Sequence, residues 1–441
     1  MKINKFFNNF NIFFVGIGGI SMSGLAKIAL ENGARVSGSD ISTNDEITRL
    51  QAQGVVVFDH HSAKNITSDI NLVVYSGAIS TSNPELVKAK KLNIKTMERS
   101  KFLGQISKCY NHVIAISGTH GKTTTTAMIA EIFANAGKNP TIHLGGESVN
   151  LHENTIIGGN DYIILEACEY RESFLQLKPE CGVITNIESD HLDYYKNYKN
   201  IVRAFGKFAK NSSMLVTNEN IQHKKLLDVK KTFAPKNICV KNHGYLFDVY
   251  KNNSFYEKFE LNIIGRHNID NAIFAIAVAD LYGISKDIIH SSIASFRGCK
   301  RRYELIGDIW QTPIIIDYAH HPTEISNSIR GVSEHYKNIL VVFQPHTYSR
   351  TKSLLNDFAK ALASIDNLII FKTYPARENE IIGGRAWDLF EVLKNPNLAY
   401  IDDIKKLYGV IHDACYMKMY DCVLILGAGD LATNFCKLLH G

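Results

Sequence analysis

Short apolar runs alternate with amphipathic segments through the first hundred residues. Residues 12–16 (IFFVG) form an apolar run typical of a buried strand, residues 21–33 have the spacing of an amphipathic helix, and residues 34–40 are compatible with a second strand. Further strand-like runs follow at residues 54–58 and 72–78. Because strands that alternate with helices are typical of β-α-β units, the pattern predicts a parallel sheet covered by helices.

The same alternation begins again twice further along the chain. A strand predicted over residues 112–118 leads into a helix from Lys122 to about Ala136, and a third unit begins near Cys299. Residues 211–262 are more irregular and rich in strand-like segments. A length of 441 residues allows two to four domains of roughly 100–200 residues each. We therefore predict an α/β fold of three consecutive α/β domains, over residues 1–108, 109–298 and 299–441.

Composition and charge narrow the class of protein. The chain has 49 Lys and Arg against 43 Asp and Glu, a net charge of +6, with 45% hydrophobic and 21% charged residues. These are ordinary globular values, and there is no dense basic block of the kind that binds nucleic acid. No apolar run approaches the roughly 20 residues of a membrane span, and no signal peptide is recognisable. The eight cysteines form no C-x-x-C pair. We expect a cytoplasmic protein with free thiols, no membrane span and no nucleic-acid partner.

The strongest local motif is AISGTHGKTTTTAMIAEIF, at residues 115–133. A predicted strand ends at Gly118, a glycine-rich turn follows, and Lys122 and Thr123 begin a helix. Backbone N–H groups at such a helix start cradle phosphate oxygens, the ammonium reaches the terminal phosphates, and a threonine hydroxyl binds magnesium. The glycines are two residues closer than in the general G-x-x-x-x-G-K-[ST] motif. The segment predicts a site for a nucleoside triphosphate.

A second glycine-rich turn, VGIGGISMSG, lies at residues 15–24, with Asp40 downstream. It is similar to a dinucleotide fingerprint, but Ser21 stands where the third glycine should fall. The turn therefore favours a diphosphate at the helix start more than a dinucleotide, and a purely structural turn is an open alternative.

Carboxylates and imidazoles follow several predicted strands. Glu166 ends one strand, and Asp190 and His191 follow another. Because strand ends lie on the ligand side of a parallel sheet, these groups are candidate metal ligands beside a triphosphate. The segments 264–271, 298–304, 317–324 and 343–351 are crowded with His, Arg, Asp and Tyr, although each taken singly is equally compatible with a solvated loop or a structural ion pair.

Taken together, GTHGKTTT, NIESDHLDYY, GRHNIDN, KRRYE, DYAHHPTE and QPHTYSRT occur in the order and approximate spacing of the Mur ligases. The chain resembles this family over essentially its whole length. The resemblance implies a Rossmann-like N-terminal domain for a UDP-sugar, a P-loop central domain for ATP, and a Rossmann-like C-terminal domain for ATP and the incoming amino acid.

Within the family, the sequence is most similar to members that join L-alanine to UDP-N-acetylmuramate in peptidoglycan precursor synthesis. The implied reaction begins when the sugar carboxylate attacks the γ-phosphate of ATP, giving an acyl phosphate and ADP. The amine of L-alanine then displaces phosphate. ATP and Mg²⁺ are the implied cofactors, and a monomer or homodimer is expected.

The resemblance assigns roles to particular residues. It implies an ATP site at Gly118, Thr119, His120, Gly121, Lys122, Thr123, Thr124, His267, Asn271, Arg302 and Asp317. It implies magnesium ligands at Thr123, Glu166 and His191. Substrate would contact Gly18, Gly19, Ser39, Asp40, His120, Tyr318, His346 and Arg350. Direct catalytic roles would fall to Lys122, Glu166, His191, His320 and Arg350.

The chain departs from the family pattern at three places. Thr347 stands where an arginine often follows the histidine, so that Arg350 is the remaining candidate for a carboxylate contact. The segment EACEYRES replaces the EADES form, which favours Glu166 over Glu169 as the functional carboxylate. Phe205 occupies the position of a lysine that is carbamylated in relatives adding later amino acids, which fits the L-alanine branch.

Three alternatives stay open from the sequence. One is the related ligase that reattaches a recycled tripeptide to the same UDP-sugar. Another is an NAD-dependent oxidoreductase that uses the first domain, which the missing third glycine argues against. The last is a nucleotide-binding switch without ligase activity, which would hydrolyse ATP slowly and independently of a UDP-sugar.

Overall fold

The computed structural model describes residues 7–151, 153–218, 233–241, 244–376 and 378–440. The chain divides into two compact units. The first comprises Met1–Asn237, Phe247–Leu261 and Ile269–Phe296, and the second comprises Ile238–Leu246, Asn262–Asn268 and Arg297–Gly441.

The first unit begins with a five-stranded sheet. Its strands are β1 (Asn11–Val15), β2 (Arg35–Ser39), β3 (Val56–Phe58), β4 (Leu72–Tyr75) and β5 (Lys95–Glu98), and its helices are α1 (Ile20–Glu31), α2 (Asp45–Ala52), α3 (Pro84–Lys91) and α4 (Arg99–Ser107). The strand order is β3-β2-β1-β4-β5, and all neighbours are parallel. Successive side chains of β1 enter opposite faces, so that Phe14 packs with Leu25 of α1 and Phe13 with Leu86 of α3. The apolar run at residues 12–15 thus corresponds to a strand whose side chains are buried on both faces of the sheet.

A second sheet follows in the same unit. Its elements are β6 (His112–Ser117), α5 (Lys122–Asn135), β7 (Thr141–His143), β8 (Thr155–Ile156), β9 (Tyr162–Glu166), β10 (Cys181–Ile184), α6 (Leu192–Tyr195), α7 (Tyr198–Asn211) and β11 (Met214–Val216). The order is β11-β10-β6-β9-β7-β8, with only the β7-β8 pair antiparallel. Because β10, β6 and β9 are adjacent and parallel, the loops after Ile184, Ser117 and Glu166 leave the same edge of the sheet.

The irregular region predicted near residues 211–262 contains a separate three-stranded sheet. It is formed by β12 (Phe233–Lys241), β13 (Gly244–Lys251) and β14 (Ser254–Leu261). Two helices follow, α8 (His267–Leu281) and α9 (Lys286–Ser295).

The second unit is built on a six-stranded sheet. Its strands are β15 (Glu304–Ile309), β16 (Thr312–Asp317), β17 (Ile339–Phe343), β18 (Asn367–Phe371), β19 (Asn397–Ile401) and β20 (Cys422–Leu426), in the order β15-β16-β20-β17-β18-β19. Only β15 is antiparallel to its neighbour. The helices are α10 (Pro322–Ser333), α11 (Tyr348–Ser353), α12 (Leu355–Leu362), α13 (Ala386–Val392), α14 (Ile404–Tyr416) and α15 (Leu431–His440). With the two sheets of the first unit, this sheet confirms the predicted fold class of three consecutive α/β domains.

Candidate functional site

The turn between β6 and α5 has a conformation that requires glycine. Gly118 has a φ of 142° and Gly121 a φ of 80°. A Cβ atom on Gly118 would lie 1.9 Å from Thr185 Oγ1, and one on Gly121 would lie 2.4 Å from Asn271 Oδ1. Since no side chain fits at either position, backbone lines the turn at the start of α5.

Residues that follow β10 brace this turn. The N–H of His120 donates to Asn186 Oδ1 at 2.9 Å, and the Thr185 hydroxyl donates to the carbonyl of His120 at 2.6 Å. The N–H of Glu188 donates to Thr119 Oγ1 at 2.9 Å. Thr185 and Asn186 were not singled out from the sequence, because only the sheet order brings them beside the turn. Their contacts fix the loop before any ligand binds.

The ammonium of Lys122 lies inside the turn. It donates to the carbonyl of Thr119 at 3.0 Å and lies 3.0 Å from Glu169 Oε2. Burial opposes the charged form of both groups, but their attraction raises the pKa of Lys122 and lowers the pKa of Glu169. The lysine is therefore held as a largely buried cation at the helix start.

Glu169 is more central than the sequence suggested. Its carboxylate contacts Lys122 on one side, and on the other side Nε2 of His191 lies 3.6 Å from Glu169 Oε1. Burial lowers the pKa of His191 less than the carboxylates of Glu169 and Asp190 raise it. In the sequence, the segment EACE indicates two carboxylates three residues apart after a strand, Glu166 and Glu169. It does not indicate which of the two approaches Lys122.

Glu166 and Thr123 flank the glycine pair Gly145-Gly146. The N–H of Gly145 donates to Glu166 Oε1 at 2.8 Å, and a Cβ on Gly146 would lie 3.2 Å from Thr123 Cγ2. The structure therefore brings Glu166 and Thr123 to one short loop. Gly145 and Gly146 carried no signal in the sequence analysis because their role depends on close approach to residues distant in the chain.

The predicted magnesium ligands combine one hydroxyl, one carboxylate and one imidazole. Oxygen ligands such as those of Thr123 and Glu166 suit Mg²⁺, whereas an imidazole suits it less well. Among the described residues there is no group of three or more His, Cys, Asp or Glu arranged to hold a metal ion.

The residues predicted beside the adenine have different surroundings. Asn271 of α8 accepts a hydrogen bond from Thr125 Oγ1 at 3.1 Å and packs against the turn at Gly121. His267 belongs to the second unit, where its ring lies 5.4 Å from that of Tyr303. Asn271 is therefore part of the support of the turn at residues 118–121, the predicted phosphate turn.

The N-terminal turn holds three of its four predicted residues together. Gly16 has a φ of 80°, the N–H of Gly18 donates to Asp40 Oδ2 at 2.9 Å, and Gly19 precedes α1 without a side-chain cap. Ser39 is buried and donates to Glu85 Oε2 at 2.8 Å. Its hydroxyl thus serves the interior of this domain, unlike the glycines and Asp40 at the helix start.

In the second unit, Asp317 organises the end of β16. The buried carboxylate accepts hydrogen bonds from the N–H groups of Tyr303 and Ala319, both at 2.9 Å, and from Ser328 Oγ at 3.0 Å. The Arg302 guanidinium lies over the ring of Tyr318, 5.2 Å from its centroid. Arg302 and Tyr318 thereby stay close to the same strand end.

His320, His346 and Arg350 form a cluster in that unit. The rings of His320 and His346 are 5.8 Å apart, and Arg350 Nη1 lies 3.4 Å from His346 Nδ1. Burial, with the neighbouring His320 and Arg350, lowers the pKa of His346 to about 4. Burial also lowers the pKa of His320. Two neutral imidazoles and one cation therefore lie beyond the ends of β16 and β17, which are the two neighbours of β20 in the sheet.

Comparison with known proteins agrees with this architecture. Family models described as the Mur ligase family catalytic domain, the Mur ligase middle domain and the Mur ligase glutamate ligase domain match residues 11–111, 116–279 and 301–429. The chain belongs to the Mur ligase family.

Particular relatives extend along the whole chain. UDP-N-acetylmuramate–L-alanine ligases from Clostridium novyi and Clostridium kluyveri are 40% and 43% identical to it, over 96% and 97% of both chains. The crystal structure of a UDP-N-acetylmuramate–alanine ligase from Thermotoga maritima is 31% identical over 98% of both chains, with a TM-score of 0.85. The oxidoreductase alternative is not favoured.

No helix in the described part of the chain has the length and apolar character needed to cross a membrane.

Proposed function

We propose that this chain is an ATP-dependent acid–amino-acid ligase that joins L-alanine to the lactoyl carboxylate of UDP-N-acetylmuramate, releasing ADP and phosphate. The observation that carries the proposal is the buried Lys122 cation in a glycine turn, within a chain similar over its full length to ligases of that name. The division at residues 108 and 298, a cytoplasmic location, a monomeric or homodimeric state and the absence of nucleic-acid partners belong to the same proposal.

The first step requires an anion to approach a triphosphate, so that the protein must supply positive charge and donors. In the proposed step the sugar carboxylate attacks the γ-phosphorus, the bond to the bridging oxygen breaks, and ADP leaves. Lys122 would exchange its bonds to the carbonyls of Gly118 and Thr119 for bonds to phosphate oxygens. The backbone N–H groups of the first turn of α5 would hold the remaining phosphate oxygens.

Thr123 and Glu166 would hold one magnesium ion, and His191 would hold a second magnesium ion. Bound Mg²⁺ would neutralise charge on the phosphates. Glu169 would orient both Lys122 and His191, since its carboxylate contacts each of them. The glycine turn of the first domain, with Gly18, Gly19 and Asp40, would bind the diphosphate of the UDP-sugar, and Ser39 would support it from within.

The second step uses an amine, and alanine arrives as an ammonium. The neutral imidazoles of His320 and His346 are suited to accept hydrogen bonds from the ammonium, and Arg350 is suited to bind the carboxylate of alanine. Tyr318 would line the same pocket, His120 would face the reacting carboxylate, and His267, Arg302 and Asp317 would serve the nucleotide.

An amino-acid panel tests the proposal. Phosphate release is followed with ATP, Mg²⁺, UDP-N-acetylmuramate and each of L-alanine, glycine, L-serine and the tripeptide, with each component omitted in turn. We expect release only when the UDP-sugar and an amino acid are both present, and fastest release with L-alanine. A preference for the tripeptide, or hydrolysis of ATP without the UDP-sugar, would contradict the proposal.

A further inference from the structure

The imidazole of His143 connects α1 to β7, the strand whose following loop contacts Glu166. His143 ends β7 and is only 2% exposed. Its Nε2 lies 2.9 Å from Ser21 Oγ, and its Nδ1 lies 3.0 Å from Thr155 Oγ1. Ser21 is in the first turn of α1, directly after the glycine turn. The proposed chemistry gives this buried histidine no role.

The hydrogen bonds through His143 run in one direction. Arg99 Nη1 donates to Ser21 Oγ at 3.0 Å, and because a guanidinium is only a donor, the hydroxyl proton of Ser21 is available to His143 Nε2. Burial, together with Arg99, lowers the pKa of His143 to about 3. The imidazole is therefore neutral near pH 7, so that Nε2 accepts from Ser21 and Nδ1–H donates to Thr155.

The backbone of α1 packs directly on this pair of side chains. A Cβ on Gly24 would lie 2.1 Å from Thr155 Oγ1 and 2.8 Å from His143 Cε1. Only glycine allows so close an approach. Helix α1 therefore cannot move along or away from β7 without losing both the packing at Gly24 and the bond between Ser21 and His143.

The same strand also positions the candidate magnesium ligand. His143 is paired in register with Leu165 of β9, and Glu166 is the next residue. Two residues after His143, the N–H of Gly145 holds Glu166 Oε1 at 2.8 Å. One short segment, residues 143–145, thus contacts the first turn of α1 at one end and Glu166 at the other.

We propose that His143 is a positioning residue, which fixes the UDP-sugar helix α1 relative to the phosphate turn and so sets the separation of the sugar carboxylate from the γ-phosphate. This inference rests on the proposed function. His143 touches no reacting atom. A misplacement of about 1 Å between reacting groups costs roughly 100-fold in rate, whereas each substrate keeps its own binding contacts.

Two substitutions of His143 separate the effect of its hydrogen bond to Ser21 from the effect of its side-chain volume. His143→Leu keeps the volume but removes the acceptor for Ser21, while His143→Gln retains an acceptor oxygen. We expect kcat to fall roughly 10- to 100-fold in the leucine variant and to recover substantially in the glutamine variant. The Kd values for UDP-N-acetylmuramate and ATP, measured by calorimetry, should stay close to those of the wild type. Arg49→Gln, which breaks the exposed contact of Arg49 with Glu147, is the matched control and should keep full kcat.

The outcomes distinguish the two proposals. If the wild-type protein releases no phosphate with UDP-N-acetylmuramate and L-alanine, the proposed function fails. If the wild type is active and folded His143→Leu has wild-type kcat, or if the leucine and glutamine variants lose kcat equally, the positioning role is wrong. Should His143→Leu fail to fold, Ser21→Ala removes the same hydrogen bond from the helix side, and an unchanged kcat there would also overturn the inference.

Discussion

The two glycine-rich turns of the first unit share one architecture but differ in charge. Each follows a parallel strand, begins with a glycine at positive φ and leads into a helix. The phosphate turn before α5 is followed by Lys122, whose ammonium lies within it. The turn before α1 is followed by Ile20 and Ser21, and a carboxylate oxygen of Asp40 already accepts the N–H of Gly18.

This difference supports the proposal that the two turns bind different phosphates. A triphosphate that is to be attacked by a carboxylate needs a cation as well as N–H donors. A diphosphate that is only held in place needs the N–H donors and the helix dipole. Under the proposed function, the residue after the last glycine separates the reacting site from the anchoring site, and substitutions in the two turns should have unequal effects.

The largest effect is expected from Lys122→Ala. Removing the only side-chain cation described in the phosphate turn should lower phosphate release by at least about 100- to 1000-fold. It also leaves the buried carboxylate of Glu169 without its nearest cation, at a cost of about 3–5 kcal/mol in the free energy of unfolding. Kinetics and urea denaturation measure the two effects separately.

A double variant provides the control for this prediction. Lys122→Met with Glu169→Gln removes both charges, so that most of the stability should return while turnover stays absent. Near-normal turnover in either variant would show that the assignment of this turn to ATP is wrong.

A smaller effect is expected from His191→Ala. Glu169 would lose one of its two partners, and the Mg²⁺ concentration for half-maximal activity should rise roughly 10-fold, with partial rescue by excess magnesium. His112→Ala breaks a histidine–carboxylate pair of 2.6 Å with Glu180 elsewhere in the same unit and serves as the control. An unchanged magnesium profile in His191→Ala would count against its role as a ligand.

Ser21→Gly tests the turn before α1 directly. It completes the dinucleotide glycine spacing but removes the hydroxyl between Arg99 and His143. We expect no binding of NAD in a fluorescence titration and a fall in kcat of roughly 10-fold. Tight binding of NAD would reopen the oxidoreductase hypothesis and weaken the contrast between the two turns.

The smallest effect is expected from Glu131→Gln, in the helix behind the phosphate turn. Burial raises the pKa of Glu131 to about 7, although Ser148 and Asn150 donate hydrogen bonds to it. Because the unfolded carboxyl ionises near pH 4.5, the wild type should lose stability as the pH rises from about 4.5 through 7. The free energy of unfolding should fall between pH 5 and pH 8 by about 1–3 kcal/mol less in the variant than in the wild type. Denaturation at the two pH values measures this difference, and kcat should change little. An equal loss in both proteins would contradict the raised pKa.

Sequence alone was sufficient to predict the strand, the glycine turn and the helix around Lys122, and the three consecutive α/β domains. The strand, the glycines, Lys122 and Thr123 are contiguous, so that their geometry is encoded locally. The family motifs are likewise short segments in a fixed order. Continuous apolar runs predicted many strands because the parallel sheets are covered by helices on both faces.

Only the tertiary structure decided which distant groups meet. It placed Glu169 rather than Glu166 against Lys122, set Thr185 and Asn186 behind the turn, buried Ser39 against Glu85, and joined Ser21 to His143 across 122 residues. These contacts depend on strand order and helix packing, which bring together residues whose separation along the chain carries no local signal. The sequence therefore determined what chemistry each turn offers, and the packing of α1 on β7 decided how the two turns are held together.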